Sequence, residues 1–345
     1  MMSSFVYKIV FLVLLWAGFV RPTDAQTLYV DPLRGKLEAA GTASAPLASL
    51  EQAIRLAQGF SGQEPVVLRL YPGLYTLTQR AEIKTRRPAP DTVQYTVEAV
   101  VLPDDPAWQP TQMPVIQSIS ANNTAEGFAH CSGFLLAKDN VRFRGLKFVG
   151  NANPAVTYYY PITRESETST GLRIAQCYFI GDRNASPIQG AVWTFGSDVR
   201  VDHTIFYGCR NALIFSKGIK DVALTNSIIY GAYEAALWFR PREGGLIFRN
   251  NIVANCAYFW IVADRVLPKM TLSNSVITGI THFTGLDKDT GLTEFKETNH
   301  VEQGIQKNGT VLLQEVQTNG LPQDYLNPLP QSAGYTLKAG IFHRK

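Results

Sequence analysis

The sequence predicts an all-β solenoid, a stack of rungs each made of three short strands. Three observations carry this. Six gap-free segments begin at Val141, Leu172, Val199, Val222, Leu246 and Met270, and the last four starts are 23, 24 and 24 residues apart. Each segment alternates apolar and polar residues on both sides of one central position, occupied in turn by Gly145, Gln176, His203, Asn226, Asn250 and Asn274. A further short apolar run lies between segments, as in "NALIFS", "AALWFR" and "YFWIVA". Two period-two stretches that meet at a residue tolerating a left-handed backbone read as two strands joined by a one-residue bend. The extra run supplies the third strand. Stacked rungs then place the bend residues in one column, where asparagine amides bond along the axis.

In chain order, the first element is a single cation, Lys8, followed by "IVFLVLLWAGFV" and then "RPTDAQ", with small residues at Thr23 and Ala25. This pattern predicts a secretory signal peptide over residues 1–25 and hence a secreted or periplasmic protein without stable membrane insertion, since the apolar run is short for a membrane span. No cysteine lies near the cleavage site, which argues against a lipid anchor. Cleavage lowers the formal charge of +4 by one. Lysines and arginines are scattered and no nucleic-acid module is recognisable, so DNA and RNA are set aside as partners. The chain is read as one domain and a monomer.

The open end of a solenoid exposes strand edges and core, so the first rung needs a cover. "PLASLEQAIRLAQ" fits. A helix over about 47–58 would be capped by Ser49, with Gln52 at its third position and Leu50, Ala53, Ile54 and Ala57 on one face. "VVLRLYPGLYTL" then reads as strand, Pro72-Gly73 turn and strand. The repeats fill the β-helix, assigned to 26–280, and residues 281–345 lose the pattern and form an irregular C-terminal segment.

"LYVDP", "GTASAPLASLEQAI" and "LRLYPGLYTL", followed by these repeats, resemble the secreted right-handed parallel β-helix proteins of the pectate-lyase-like superfamily over most of residues 27–280. The resemblance implies a right-handed parallel β-helix in which the bend separates the second and third strands, so the remaining run is the first strand of each rung. It also implies carbohydrate-directed activity on the outer face of the first strands. A fold shared by lyases, hydrolases, esterases and inert adhesins leaves the activity open.

In that register Leu237 and Phe239 face inward while Trp238 and Arg240 face outward. Extending it puts Leu135, Thr157, Trp193, Ile214, Trp238 and Trp260 in one outward column and Ala137, Tyr159, Phe195, Ser216, Arg240 and Val262 in the next, though a one-residue shift would turn Trp193 and Phe195 inward. Sugar rings stack on such aromatic strips. The alternative is that the C-terminal segment drapes over this face and makes the tryptophans core. Substrate-binding candidates are Trp238, Trp260, Trp193, Tyr159 and Arg242, with Arg164 beside Tyr159 in an insertion at 157–170.

By position alone, catalytic candidates are Arg240, Lys217, Tyr233, Glu234 and Glu243, with Asp264, Arg265, Arg210 and Tyr258 nearby. β-Elimination on a uronate needs a cation for the carboxylate and a base for the adjacent proton. Arg240 suits the first role; Lys217 or Tyr233 would be the base. Hydrolysis would need two facing carboxyl groups from Glu234, Glu243 and Asp264. The paired aspartates and Gly-His-Gly of polygalacturonase-like hydrolases, the calcium-binding aspartates of pectate lyases and the aspartates of pectin methylesterases are missing.

The expectation is a polysaccharide-binding and depolymerising protein, leaning to a lyase acting on an acidic glycan. The alternative is a non-catalytic adhesion or glycan-binding β-helix. No cofactor or metal-ligand spacing is evident, and calcium is left open. His203 is read as a bend residue bonded to Asn226 or solvent. Cys131, Cys177, Cys209 and Cys256 are read as free, mostly buried thiols, because neighbours in the turn column are about 9–10 Å apart, beyond disulfide reach.

Overall fold

The computed structural model describes residues 25–87, 92–124, 127–181, 184–240, 245–263, 269–288, 291–296, 299–314 and 326–343. The expected signal peptide lies outside them except for Ala25. Among the described residues no helix is long and apolar enough to cross a membrane. The chain is a right-handed parallel β-helix. Its first strands form a nine-stranded sheet and its second and third strands a seventeen-stranded sheet. Helix α1 (Leu50–Gln58) covers the N-terminal end; Ser49 Oγ accepts from the Gln52 amide at 3.2 Å, and Leu50, Ala53, Ile54 and Ala57 are the buried face.

The bends are as the repeat predicts. Gly145, Gln176, His203, Asn226, Asn250 and Asn274 all have φ between 42° and 71°. Asparagine is tolerated there because its short polar side chain bonds locally. Each amide also bonds along the axis. Asn226 Nδ2 donates to Asp202 Oδ1 at 2.7 Å, Asn250 to Asn226 Oδ1 at 2.6 Å and Asn274 to Asn250 Oδ1 at 3.0 Å. His203 sits in the column but bonds Asp202 Oδ2 at 2.8 Å, so the ladder passes it through its neighbour.

Inside, one apolar core runs from α1 to the last rung. Phe148, Phe179 and Phe206 stack on successive rungs with centroids 4.7 and 5.0 Å apart. All four cysteines are free and buried. Burial pushes the Cys177 and Cys256 thiols up to about 12. Coiling continues past residue 280: His282–Lys288 pairs in parallel with Tyr258–Val262, and His300–Gln306 with Lys269–Thr278. Gly291–Glu294 folds back antiparallel on His282–Lys288 and closes that edge.

The described residues from 309 onward pack on the third strands. Val311, Leu326, Ala339 and Ile341 form a second apolar cluster with Val149, Ile180, Ile205, Ile228, Ile252 and Val276. Polar contacts fix the path. Thr278 Oγ1 donates to Gly309 O, Asn250 Nδ2 to Leu337 O, the Gly340 amide to Asn226 O and Gln176 Nε2 to Ile341 O, at 2.9–3.1 Å. Among the described residues, the tail therefore covers the third-strand face and not the first-strand face.

Candidate functional site

Strands Gly190–Thr194, Asn211–Phe215 and Ala235–Phe239 build the centre of the first-strand face. Leu213 pairs with Leu237 and Phe215 with Phe239, all facing the core, so the residues between them must face out. Leu237 and Phe239 are buried, Trp238 is half-buried and Arg240 is exposed, as the sequence parity requires. The outward column reads Leu135, Thr163, Trp193, Ile214, Trp238 and Ile261. Trp193 is half-buried and outward, with Phe195 two residues on.

Two expectations are corrected. Trp260 pairs with Leu237 rather than Trp238, and its ring is fully buried. This strand follows its predecessor at a spacing of 23 residues, whereas setting Trp260 beside Trp238 assumed 22, so Ile261 takes the outward place. The interior accepts the indole because Thr284 on the next rung takes its Nε1–H at 2.6 Å. Tyr159 pairs with Cys131 and is core, because the strand Tyr159–Arg164 sets Thr163, not Thr157, opposite Leu135, six residues later than the expected register. Arg164 likewise points inward, its Nε donating to Thr194 Oγ1 at 3.1 Å and Phe195 O at 2.8 Å. Burial lowers its guanidinium to about 10.

What the face does assemble is an aromatic surface with cations at its edge. Phe128 stacks on Trp193 at 6.2 Å and meets Tyr158 edge-on at 5.4 Å, while Tyr160 lies 4.9 Å from Trp193. Trp193 Nε1 donates to Ser216 Oγ at 2.9 Å, which fixes the ring. Two rungs on, past Ile214, the Arg240 guanidinium lies over the Trp238 ring at 4.9 Å. Among the described residues Arg240 has no carboxylate partner, and the buried Trp238 Nε1 has no hydrogen-bond acceptor. Phe128 and Tyr160 carried no sequence signal for this role: Phe128 reaches the face from a loop ahead of the strand that begins at Cys131.

The polar candidates divide. Glu234 is fully engaged, Oε1 accepting from Arg210 at 2.7 Å and Oε2 from Asn211 at 2.6 Å. Burial alone would lower the Arg210 guanidinium, and the Glu234 contact more than offsets it. Tyr233 is exposed beside this pair; burial of its hydroxyl raises its pKa despite Arg210. Burial raises Tyr160 in the same way, against the pull of Arg210 and Arg240. Lys217 is exposed, 3.9 Å from Glu167. Glu243, Arg242, Asp264 and Arg265 lie outside the described residues. Tyr258 stacks on His282 at 4.9 Å on the following rung.

Hollows also open away from this site. One of about 240 Å³ on the second-strand face is lined by Gln94, Asn140, Arg142 and Arg173, and one of about 470 Å³ by Arg200, Ile247 and Lys269.

No protein-family model and no curated protein matches the chain. Among solved structures, it is similar to pectin methylesterase PemA from Erwinia chrysanthemi at 11% identity and a TM-score of 0.39, covering 84% of this chain and 91% of that one. It is also similar to a pectin methylesterase mutant in complex with a hexasaccharide (11%, TM-score 0.41, 84% and 91% covered). A rhamnogalacturonan lyase aligns at 12% identity with a TM-score of 0.37, covering 75% of this chain and 70% of that one.

Proposed function

We propose that this is an exported, carbohydrate-directed β-helix protein that binds an acidic polysaccharide across its first-strand face. The observation that carries this reading is the Trp238–Arg240 pair: a half-buried indole under a guanidinium without a carboxylate partner among the described residues, two rungs from the Trp193–Phe128 stack on the same face. Aromatic faces suit the apolar faces of sugar rings, and a planar guanidinium suits a uronate carboxylate in bidentate geometry. The described tail leaves this face uncovered.

Cleavage by β-elimination is the finer reading. Arg240 would neutralise the carboxylate, and Lys217 or Tyr233 would be the base, with the raised pKa of Tyr233 weighing against its phenol giving up a proton near neutral pH. Hydrolysis is less well served: Glu234 already spends both carboxylate oxygens on Arg210 and Asn211.

A panel of uronate and neutral glycans tests this by retardation in native gels and absorbance near 235 nm. The binding reading requires retardation by a uronate polymer that weakens with salt and falls at least fivefold in Arg240→Ala. Absorbance that grows with time would add the lyase step. Retardation by no glycan, or equally by neutral ones in both proteins, would overturn it.

A further inference from the structure

At the bend column, away from the aromatic face, four side chains from three distant parts of the chain converge. Asp202 and His203 come from the bend itself, Asp104 from the insertion after the strand Tyr95–Ala99, and His343 from the C-terminal tail. One potential ligand atom from each of Asp202, His203 and His343 lies within 4.8 Å of the others. Oδ2 is 2.8 Å from His203 Nδ1 and 3.5 Å from His343 Nε2, and the imidazole centroids are 4.2 Å apart.

The surroundings orient each donor. Asp202 Oδ1 is occupied by Thr225 Oγ1 at 2.6 Å and Asn226 Nδ2 at 2.7 Å, so Oδ2 alone faces the two histidines. His343 Nδ1 meets Asp104 Oδ2 at 2.6 Å, and its backbone amide donates to Asp104 Oδ1 at 2.9 Å. A proton on Nδ1 shared with a carboxylate leaves the Nε2 lone pair pointing at Asp202. This is the carboxylate–histidine arrangement that presents imidazole to a metal. Gln176 Nε2, donating to Asp104 Oδ2 at 3.1 Å, holds that outer carboxylate in turn. Two carboxylates, Asp202 and Asp104, thus flank the paired imidazoles.

We propose that Asp202, His203 and His343 bind one divalent transition-metal ion of the zinc class, with Asp104 positioning His343, and that the ion clamps the C-terminal tail to the bend column. Tetrahedral zinc with N and O ligands at about 2.0–2.2 Å sets neighbouring donors roughly 3.3 Å apart. The separations here bracket that value, so small side-chain shifts suffice, and a water completes the fourth position. A hard cation such as calcium, which takes six or more oxygens, is poorly served by two imidazoles.

The test uses the full chain without a polyhistidine tag, treated with chelator and titrated with zinc by calorimetry and thermal melting, with calcium as the control. The expected result is one equivalent of zinc bound, a rise in melting temperature and no response to calcium. His203→Asn keeps a bend-compatible residue, as the next three bends already use asparagine, and His343→Ala sits near the chain end; each should weaken zinc binding at least tenfold. Asp104→Asn should weaken it by about 10–100-fold. Absence of saturable one-equivalent binding, or zinc binding unchanged in His343→Ala, overturns the proposal and leaves a metal-free histidine–carboxylate contact. If His203→Asn fails to fold, the His343 variant still decides.

Discussion

Replacing Trp238 by alanine separates a binding face from ordinary packing. A fully buried aromatic truncated to alanine costs about 3–5 kcal/mol. Trp238 is only half-buried, and its indole N–H is a buried donor without an acceptor. Half of the transfer loss is roughly 2 kcal/mol, and removing an unsatisfied donor returns about 1 kcal/mol of it. Net destabilisation should be about 1 kcal/mol, a shift of a few degrees at most in a chain of this size. The glycan face loses more: a stacking surface and the seat of the Arg240 guanidinium, whose cation–π contact is worth about 0.5–1 kcal/mol at an exposed site. A combined loss of about 1–2 kcal/mol corresponds to roughly 5–30-fold weaker binding. Melting curves and affinity electrophoresis with a uronate polymer read the two effects side by side. Unchanged retardation with a melting temperature lowered by more than about 8 °C would refute the reasoning, because Trp238 would then be core.

Other outcomes follow from the same geometry. Asn250→Ala loses the left-handed preference at φ 60° and the bonds to Asn226, Asn274 and Leu337, and should cost about 2–4 kcal/mol in denaturant melts; Asn250→Gly should recover about half. The buried thiols should resist a disulfide-exchange reagent at pH 8 in the folded protein and react fully in denaturant, since burial pushes Cys177 and Cys256 up to about 12; rapid native labelling of either would contradict their placement. Burial works against the Asp31 carboxylate, but amides of Arg34 and Leu33 and the Arg34 side chain outweigh it and lower its pKa. Its contribution is present above the ordinary value of 3.8 and is lost as pH falls through the lowered one, so Asp31→Asn should flatten stability below about pH 4 in acid melts.

Much of this architecture is written locally in the chain. The bends are legible because a positive-φ position admits few residue types, and Gln176, Asn226, Asn250 and Asn274 recur where two alternating stretches meet. The capping helix is legible because Ser49 and the apolar spacing announce it together. Inward parity at Leu237 and Phe239 follows from strict alternation. Trp260 and Tyr159 were not legible because the spacing between rungs varies, by one residue at Trp260 and by six at Tyr159, and a change in spacing moves a side chain between core and surface without altering the local pattern. The four groups at the bend column escaped the sequence because 239 residues separate Asp104 from His343, and only the tail's path brings them together. That path was invisible too, since loss of a repeat says where coiling stops and not which face the remaining chain covers.

The route of the tail has a mechanical consequence. It runs back against the direction in which the coils accumulate, touching Thr278 first, then Asn250, Asn226 and Gln176, and ends beside Asp104. A pull on the C-terminus therefore meets mid-stack attachments before it reaches the final coil. Resistance comes from several contacts sheared together, rather than from turns unspooling singly from the free end.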